Sequence, residues 1–452
     1  MTAAYAMTAA QKKHALVVGL GLTGMSCVRY LIAHGYDVSA IDSRAAPPGL
    51  NELQREFPDV PVHAGGFTAD WFGRADMLVV SPGISVREPA IAAALANGHE
   101  VLGDIELFAR AARAPILAIT GSNGKSTVTA LVGAMCRAGG LDTRVGGNIG
   151  VAALSLLEST EPDVYILELS SFQLETTSSL NARAATILNL AADHMDRYRN
   201  LAEYADAKAR IFRGDGVIVI NADDERVRAM VPSNRRYIRF SLSAPARDTD
   251  LGLRERAGKI WLVRGDSDIM PAAELRLPGR HNIANVLAAM ALADAHGIAR
   301  DAQIDAARAF TGLPHRTELV AEHDGVRWIN DSKGTNVGAT VAALDGMDAP
   351  IVLIAGGDGK GADFSELRAP CARRARAVIL IGRDGPRIET ALAGVVPTTY
   401  ATDMRDAVRH AVRAAQSGDI VLLSPACASF DMFRNYEHRG DEFRAAVKEV
   451  VR

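Results

Sequence analysis

Residues 115–139 read PILAITGSNGKSTVTALVGAMCRAG. A short β-branched run is followed by a glycine-rich turn and then by an alanine-rich segment, the order of a strand, a loop and a helix. Such a loop turns successive backbone N–H groups toward phosphates. The helix behind it adds partial positive charge, a lysine reaches the outer phosphates and a hydroxyl can ligand a magnesium ion. Gly121, Ser122, Asn123, Gly124, Lys125, Ser126 and Thr127 are therefore expected to bind a nucleoside triphosphate. The general pattern GxxxxGK[ST] has its first glycine where Ile119 stands, so this loop is a variant ending in NGKST.

Working outward, β-branched runs alternate with helical stretches along the whole chain, the signature of βαβ units and parallel sheets. HALVVG (14–19), DVSAID (37–42) and ADMLVVS (75–81) are strands of a first unit. PILAIT (115–120), VYILELSS (164–171), ATILNL (185–190) and VIVINADD (217–224) belong to a second. IVLIAGG (351–357), AVILIG (377–382) and IVLLSPA (420–426) belong to a third. The run 100–115 reads as a helix leading from the first sheet to the second, GLPHR (312–316) as a loop leading to the third, and residues 233–275 as a small added sheet. The expected fold is α/β in three domains: 1–103 Rossmann-like, 104–312 a central P-loop α/β domain, and 313–452 again Rossmann-like. At roughly 150 residues per domain, 452 residues also predict three.

Composition narrows the function. The chain carries 50 basic and 53 acidic side chains, a net charge of -3, so it lacks the basic field that would hold a nucleic acid. No apolar run approaches the ~18 residues of a membrane span. The first 14 residues have no apolar core of the kind a secretory signal needs, and the four cysteines show no CxxC spacing. A cytoplasmic protein without nucleic-acid or membrane partners is expected, with Met7 an alternative start.

The first unit carries Gly19-Leu20-Gly21-Leu22-Thr23-Gly24 after a strand, with Asp42 near the spacing of a ribose contact. Alone this reads as a dinucleotide site. Elsewhere, Glu168 ends a strand where a carboxylate could ligand a metal between phosphates, and His194 follows another strand, where a neutral imidazole could ligand a second metal. Lys208, on a helical stretch, reads by itself as a solvated cation.

Taken together, NGKST (123–127), GGNIG (146–150), ELSSFQLE (168–175), DHMDRY (193–198), HN (281–282), GLPHR (312–316), NDSKGTN (330–336) and SPACASFD (424–431) resemble the Mur ligase family. The resemblance implies an ATP- and Mg²⁺-dependent amide ligase of peptidoglycan synthesis, with a part in cell-wall biogenesis, cell shape and division. Within the family, the motifs resemble the branch that adds D-glutamate to UDP-N-acetylmuramoyl-L-alanine through an acyl phosphate. A monomer is expected. The resemblance further implies that Lys125, Glu168, His194 and Lys208 serve catalysis, with Ser126, Glu168, His194 and a CO₂-carbamylated Lys208 toward metal. It gives Asn282, Arg316 and Asp331 to ATP, and Leu22, Thr23, Asp42, Arg44, Gly83 and Asn148 to the UDP-sugar. Lys333, Thr335, Lys360, Ser429, Phe430 and Tyr436 would form the D-glutamate pocket, with Phe430 and Tyr436 departing from the residues expected there. Asp331 and Lys333 could instead form an exposed ion pair. Because ATP candidates fall in two domains, closure about GLPHR is expected.

Three other readings compete. A folylpolyglutamate synthase would share the architecture, but ELSSFQLE and SPACASFD favour the muramoyl branch. A nicotinamide-dependent dehydrogenase leaves the NGKST loop without a purpose. A nucleotide switch without turnover leaves the metal-ligand candidates and the amino-acid pocket unexplained.

Overall fold

The computed structural model describes residues 12–451. Met7 lies outside the described residues. Three sheets follow one another along the chain. The first is parallel throughout, in the order Val62–Ala64, Asp37–Asp42, His14–Val18, Met77–Val80, Glu100–Leu102. Its central strands read as continuous apolar runs because helices cover both faces. Val17 and Ala40 are buried on one side with Val28 and Leu31 of the helix Leu22–Ala33, while Leu16, Val18 and Ile41 are buried on the other with Phe72 and Ile91.

The second sheet has nine strands. Seven run parallel: Thr143–Gly147, Val164–Glu168, Ile116–Thr120, Ala184–Ile187, Val217–Asn221, Tyr237–Phe240 and Leu251–Arg256. Lys259–Arg264 and Ser267–Pro271 then add an antiparallel edge. Residues 233–275 are thus not a separate small sheet. The parallel pairing of Phe240 with Leu251 continues the central sheet into the hairpin. Helices Lys125–Ala138 and Arg280–His296 pack against each other on one face of this sheet, burying Val128, Leu131, Val132 and Met135 beside Val286, Leu287, Met290 and Ala293. The third sheet runs Glu318–His323, Val326–Asn330, Ile420–Leu423, Ile351–Gly356, Ala375–Ile381, Thr398–Tyr400, parallel except for its first pair.

The segment 100–115 is not one helix. Glu100–Leu102 closes the first sheet as an edge strand, and the helix is only Asp104–Ala111. This helix carries two buried carboxyls with opposite behaviour. Burial pushes Asp104 up to about 6, opposed by the Gln173 amide, whose Nε2 donates to Oδ2 at 3.0 Å. Burial would also raise Glu106, but the N–H groups of Ser178 and Ser179 and the Arg110 guanidinium outweigh it and hold Glu106 at about 2. Asp104 Oδ1 has no partner at all. A carboxyl raised on folding favours the protonated fold, so it costs stability as pH climbs from its ordinary 3.8 through about 6. Asp104→Asn removes that titration. Relative to wild type, the variant should gain about 2 kcal/mol between pH 4 and pH 8, because each tenfold change in proton affinity corresponds to about 1.36 kcal/mol and part of the change is already expressed at pH 4. Urea unfolding at the two pH values checks this, and an equal wild-type-to-variant difference at both would refute it.

Candidate active site

The phosphate-type loop leaves the carboxyl end of Ile116–Thr120, inside the central sheet, where ligand crevices form in parallel sheets. Gly124 caps the helix Lys125–Ala138 with φ +82°. Any Cβ there would both strain the backbone and meet Asn285 Oδ1 at 2.5 Å, so glycine is required. Polar side chains lock the loop to the neighbouring strand end. Asn123 N donates to Asn189 Oδ1 (2.8 Å), Asn189 Nδ2 donates back to Asn123 O (3.0 Å), and Ser122 Oγ donates to Ala191 O (2.9 Å). Lys125 Nζ curls onto the loop, donating to Gly121 O (2.9 Å) and Ser122 O (3.0 Å). Burial holds its pKa below the ordinary lysine value, opposed by Glu168 and Asp193 and reinforced by Arg316.

A cleft of about 500 Å³ opens in front of this loop, and Lys125, Glu168, His194 and Lys208 all line it. Glu168 is buried; its Oε1 accepts from Asn148 Nδ2 at 2.8 Å and its Oε2 has no partner. His194 takes a left-handed φ of +58° and meets Phe172 edge-on at 4.7 Å. Burial lowers its pKa, against Asp193, so the imidazole stays neutral at pH 7.

Lys208 is not a solvated cation. It is 1% exposed, donates to Gly121 O (3.0 Å) and Thr120 Oγ1 (3.3 Å), and lies over the Tyr204 ring. Burial first, and then the Lys125 charge, push its pKa well below the lysine range.

A second cleft of about 270 Å³ lies on the other side of the loop, where Gly124, Thr127, Asn282, Arg316, Asp331 and Lys333 share a wall. Asp331 forms no ion pair with Lys333. It is buried, accepts from Ser424 Oγ (2.8 Å), and burial pushes it up to about 6. Lys333 Nζ instead sits 3.9 Å from the centre of the Tyr436 ring, and burial lowers its pKa to about 8. Arg316 crosses to the central sheet, where Nη2 donates to Ser126 Oγ at 2.7 Å. Asn336 reaches the same side, bonding Asp193 at 3.0 Å.

A third cleft, about 600 Å³, lies between the first and second sheets and is lined by Leu22, Thr23, Asp42, Arg44, Gly83 and Asn148 together. The carboxylate of Asp42 is already engaged, accepting from the N–H groups of Leu20 and Arg44 and pairing with the Arg44 guanidinium at 2.7 Å, so it shapes the glycine turn. Of the amino-acid pocket, Lys333, Thr335 and Lys360 line the first cleft but Ser429, Phe430 and Tyr436 do not. Ser429 is buried with an unpartnered hydroxyl, Phe430 is 69% exposed, and Tyr436 reaches the cleft only through Lys333. Asn189, Asn336, Asp193 and Phe172 were not singled out from sequence. Only their positions within strand-end motifs could have pointed to them.

A phosphate-type loop with an α/β unit on either side defines a three-part nucleotide-dependent architecture. Three family models match in succession: "Mur ligase MurD-like, N-terminal domain" over residues 13–103, "Mur ligase middle domain" over 119–293, and "Mur ligase, glutamate ligase domain" over 315–427. A Nitrosococcus oceani protein described as UDP-N-acetylmuramoylalanine--D-glutamate ligase is 55% identical over 96% of each chain. A Methylobacillus flagellatus protein of the same description is 53% identical over 97% of each. Among solved structures, MurF ligase from Thermotoga maritima in complex with ADP matches with a TM-score of 0.61 at 14% identity, covering 97% of this chain and 96% of that one. UDP-N-acetylmuramate-alanine ligase MurC from the same organism gives 0.59 at 18% identity over 97% and 99%. The chain belongs to the Mur ligase family.

Proposed function

We propose that this chain is an ATP-dependent ligase that forms the amide between the L-alanine carboxyl of UDP-N-acetylmuramoyl-L-alanine and the amine of D-glutamate, a step of peptidoglycan synthesis. The observation that carries this reading is the continuity of the three clefts. Asn148 lines both the first and the third, and Asn123, Gly124, Arg316 and Lys333 line both the first and the second. We take the domain limits as 1–103, 104–312 and 313–452, a division supported by the three successive sheets of the described residues.

In this reading the sugar nucleotide lies in the third cleft, against Leu22, Thr23, Asp42, Arg44 and Gly83. Its muramoyl arm passes Asn148, and ATP threads from Asn282 and Asp331 to the loop 121–127. A carboxylate oxygen attacks the γ-phosphorus and ADP leaves; the amine then attacks the acyl carbon, phosphate departs and the amine gives up its proton. Both steps gather negative charge. Lys125 and Arg316, which both line the first cleft, meet that charge. Lys333, Thr335 and Lys360 face the incoming dicarboxylate, with Ser429, Phe430 and Tyr436 reached only on rearrangement.

A magnesium ion fits one position: the buried, unpartnered Glu168 Oε2 is a carboxylate oxygen awaiting a charge. Glu168 and, once Arg316 moves off its oxygen, the Ser126 hydroxyl would hold it, and bound there it would supply positive charge to the phosphates. A second ion near His194 would have one carboxylate beside it, Asp193 Oδ2 at 3.7 Å from His194 Nε2, and would be held better by a further anion. A carbamylated Lys208 would supply one. Its neutral amine can add to CO₂, forming an N–C bond and losing a proton, whereas an ammonium would repel the ion.

The test is phosphate release from ATP with UDP-N-acetylmuramoyl-L-alanine and each candidate amino acid. D-glutamate alone should support turnover. Calorimetric titration should give binding of the UDP-sugar without binding of NAD, and the reverse would restore the dehydrogenase reading.

A further inference from the structure

Arg197 stands in the turn after His194 and takes no part in the chemistry proposed for the clefts. Its side chain is 12% exposed. Nη1 donates to Pro82 O (3.1 Å), while Nη2 donates to Ile84 O (3.2 Å) and to the Glu175 carboxylate (2.7 Å). The guanidinium carbon lies 4.3 Å from the centre of the Phe172 ring, the same ring that abuts His194. Through its backbone, Arg197 N–H donates to His194 O (2.9 Å), closing the turn that holds His194 at positive φ.

Two clefts therefore share one anchor. Ser81, Pro82, Gly83 and Ile84 wall the third cleft, and Ser81 Oγ donates to Gly19 O (2.9 Å), joining that turn to the glycine loop. Phe172 and His194 wall the first. A planar fork with several donors can hold two carbonyls and a carboxylate at once, which a lysine cannot do. A chain folded only for stability could pack an apolar residue at this junction, and the carbonyls of Pro82 and Ile84 would then face water or lose a partner.

We propose that Arg197 is a positioning residue that fixes the sugar-nucleotide cleft relative to His194 and Phe172, so that a substrate seated against Gly83 presents its carboxylate at a defined place before the phosphate loop. The proposal rests on the ligase function proposed for this chain. Without the fork, the turn 81–84 loses its direct bonds to the central unit and is held through the neighbouring Arg87, which bonds Arg197 O (3.1 Å) and Glu203; the sugar nucleotide then takes several poses, and fewer of them are productive. The contacts offered to ATP by Lys125, Asn282 and Asp331 are not part of this linkage.

Three variants of the full chain test it. Arg197→Met keeps most of the stem and loses the fork; Arg197→Lys keeps the charge and part of the bonding; Glu175→Gln weakens the hold on the guanidinium without altering it. Initial rates with UDP-N-acetylmuramoyl-L-alanine, ATP and D-glutamate varied in turn, and melting temperature, are measured on each. Arg197→Met should raise KM for the sugar nucleotide about tenfold and lower kcat about tenfold, the size of a lost charge-assisted contact, with KM for ATP changed less than about twofold. Arg197→Lys should recover part of kcat, and Glu175→Gln should fall between wild type and Arg197→Met. Wild type that turns over none of these substrates would sink the functional reading and this inference with it. Active wild type alongside an Arg197→Met enzyme of unchanged KM and kcat would overturn the inference alone. So would equal rises of both KM values with a lowered melting temperature in Arg197→Met and Glu175→Gln, which would mark a purely structural residue.

Discussion

Replacing Lys125 by alanine should lower turnover by about 10³-fold, the scale of losing a preorganised charge at a transferring phosphoryl group. Melting temperature should change little. In the folded chain its ammonium meets only the carbonyl oxygens of Gly121 and Ser122, and the loop is held separately by the Asn123–Asn189 pair and by Ser122. Nucleotide affinity should fall together with turnover, since the ground state also carries the phosphate charge. Near-normal turnover in a folded Lys125→Ala protein would remove the loop from the phosphate site.

Lys208→Ala should be nearly as damaging, with a loss of about 10² to 10³-fold, and it should respond to a small molecule. A buried amine whose hydrogen bonds go to Gly121 O and Thr120 Oγ1 contributes no anion by itself, so its value to a metal site depends on acquiring one. Acetate, entering the space the side chain leaves, should restore part of the activity of Lys208→Ala. Bicarbonate should not, because the amine it would modify is gone. Wild type assayed in CO₂-stripped buffer should lose activity and regain it on adding bicarbonate. Lys208→Met, which refills the buried space, guards against reading a folding defect as a catalytic one. If Lys208→Ala turns over normally and ignores acetate, Lys208 has no part in the reaction.

The sequence announced the strands that are apolar on both faces, because continuous runs such as ILAIT, IVLIAG and IVLL have no other place to go in a protein of this composition. Short edge strands were not legible. Val62–Ala64 and Glu100–Leu102 are each only three residues long, with Leu102 alone among the six buried, and Thr143–Gly147 ends in two glycines that resemble a turn. The extension of the central sheet through Leu251–Arg256 was hidden for a related reason: only Phe240 and Leu251 pair across the junction, so no local pattern predicts it. In the site, the loop 121–127, Glu168 and His194 could be singled out because backbone geometry and charge call for particular residue types at strand ends, whereas Lys208, Asn282, Arg316 and Lys333 were singled out only through the family resemblance. The clamps were not, since Asn189 and Asn336 act through partners distant in sequence. The burial of Lys208 had a trace in the sequence. Tyr204 and Lys208 stand one helical turn apart, and Ala207 beside them is also buried, so that face of the helix is turned inward.

One oxygen atom at the heart of the loop receives both lysines. Gly121 O accepts from Lys125 Nζ at 2.9 Å and from Lys208 Nζ at 3.0 Å. Two ammonium groups cannot share so small an acceptor without cost, and the more deeply buried amine sheds its proton first. In the proposed function, a triphosphate that drew Lys125 away would remove that repulsion, and carbon dioxide that converted Lys208 to an anion would reverse its sign. Each arrival would then change how many hydrogen ions the protein holds. Nucleotide affinity would become a function of acidity and of dissolved CO₂, and the heat measured on binding would include the ionisation heat of whatever buffer takes up or supplies the difference.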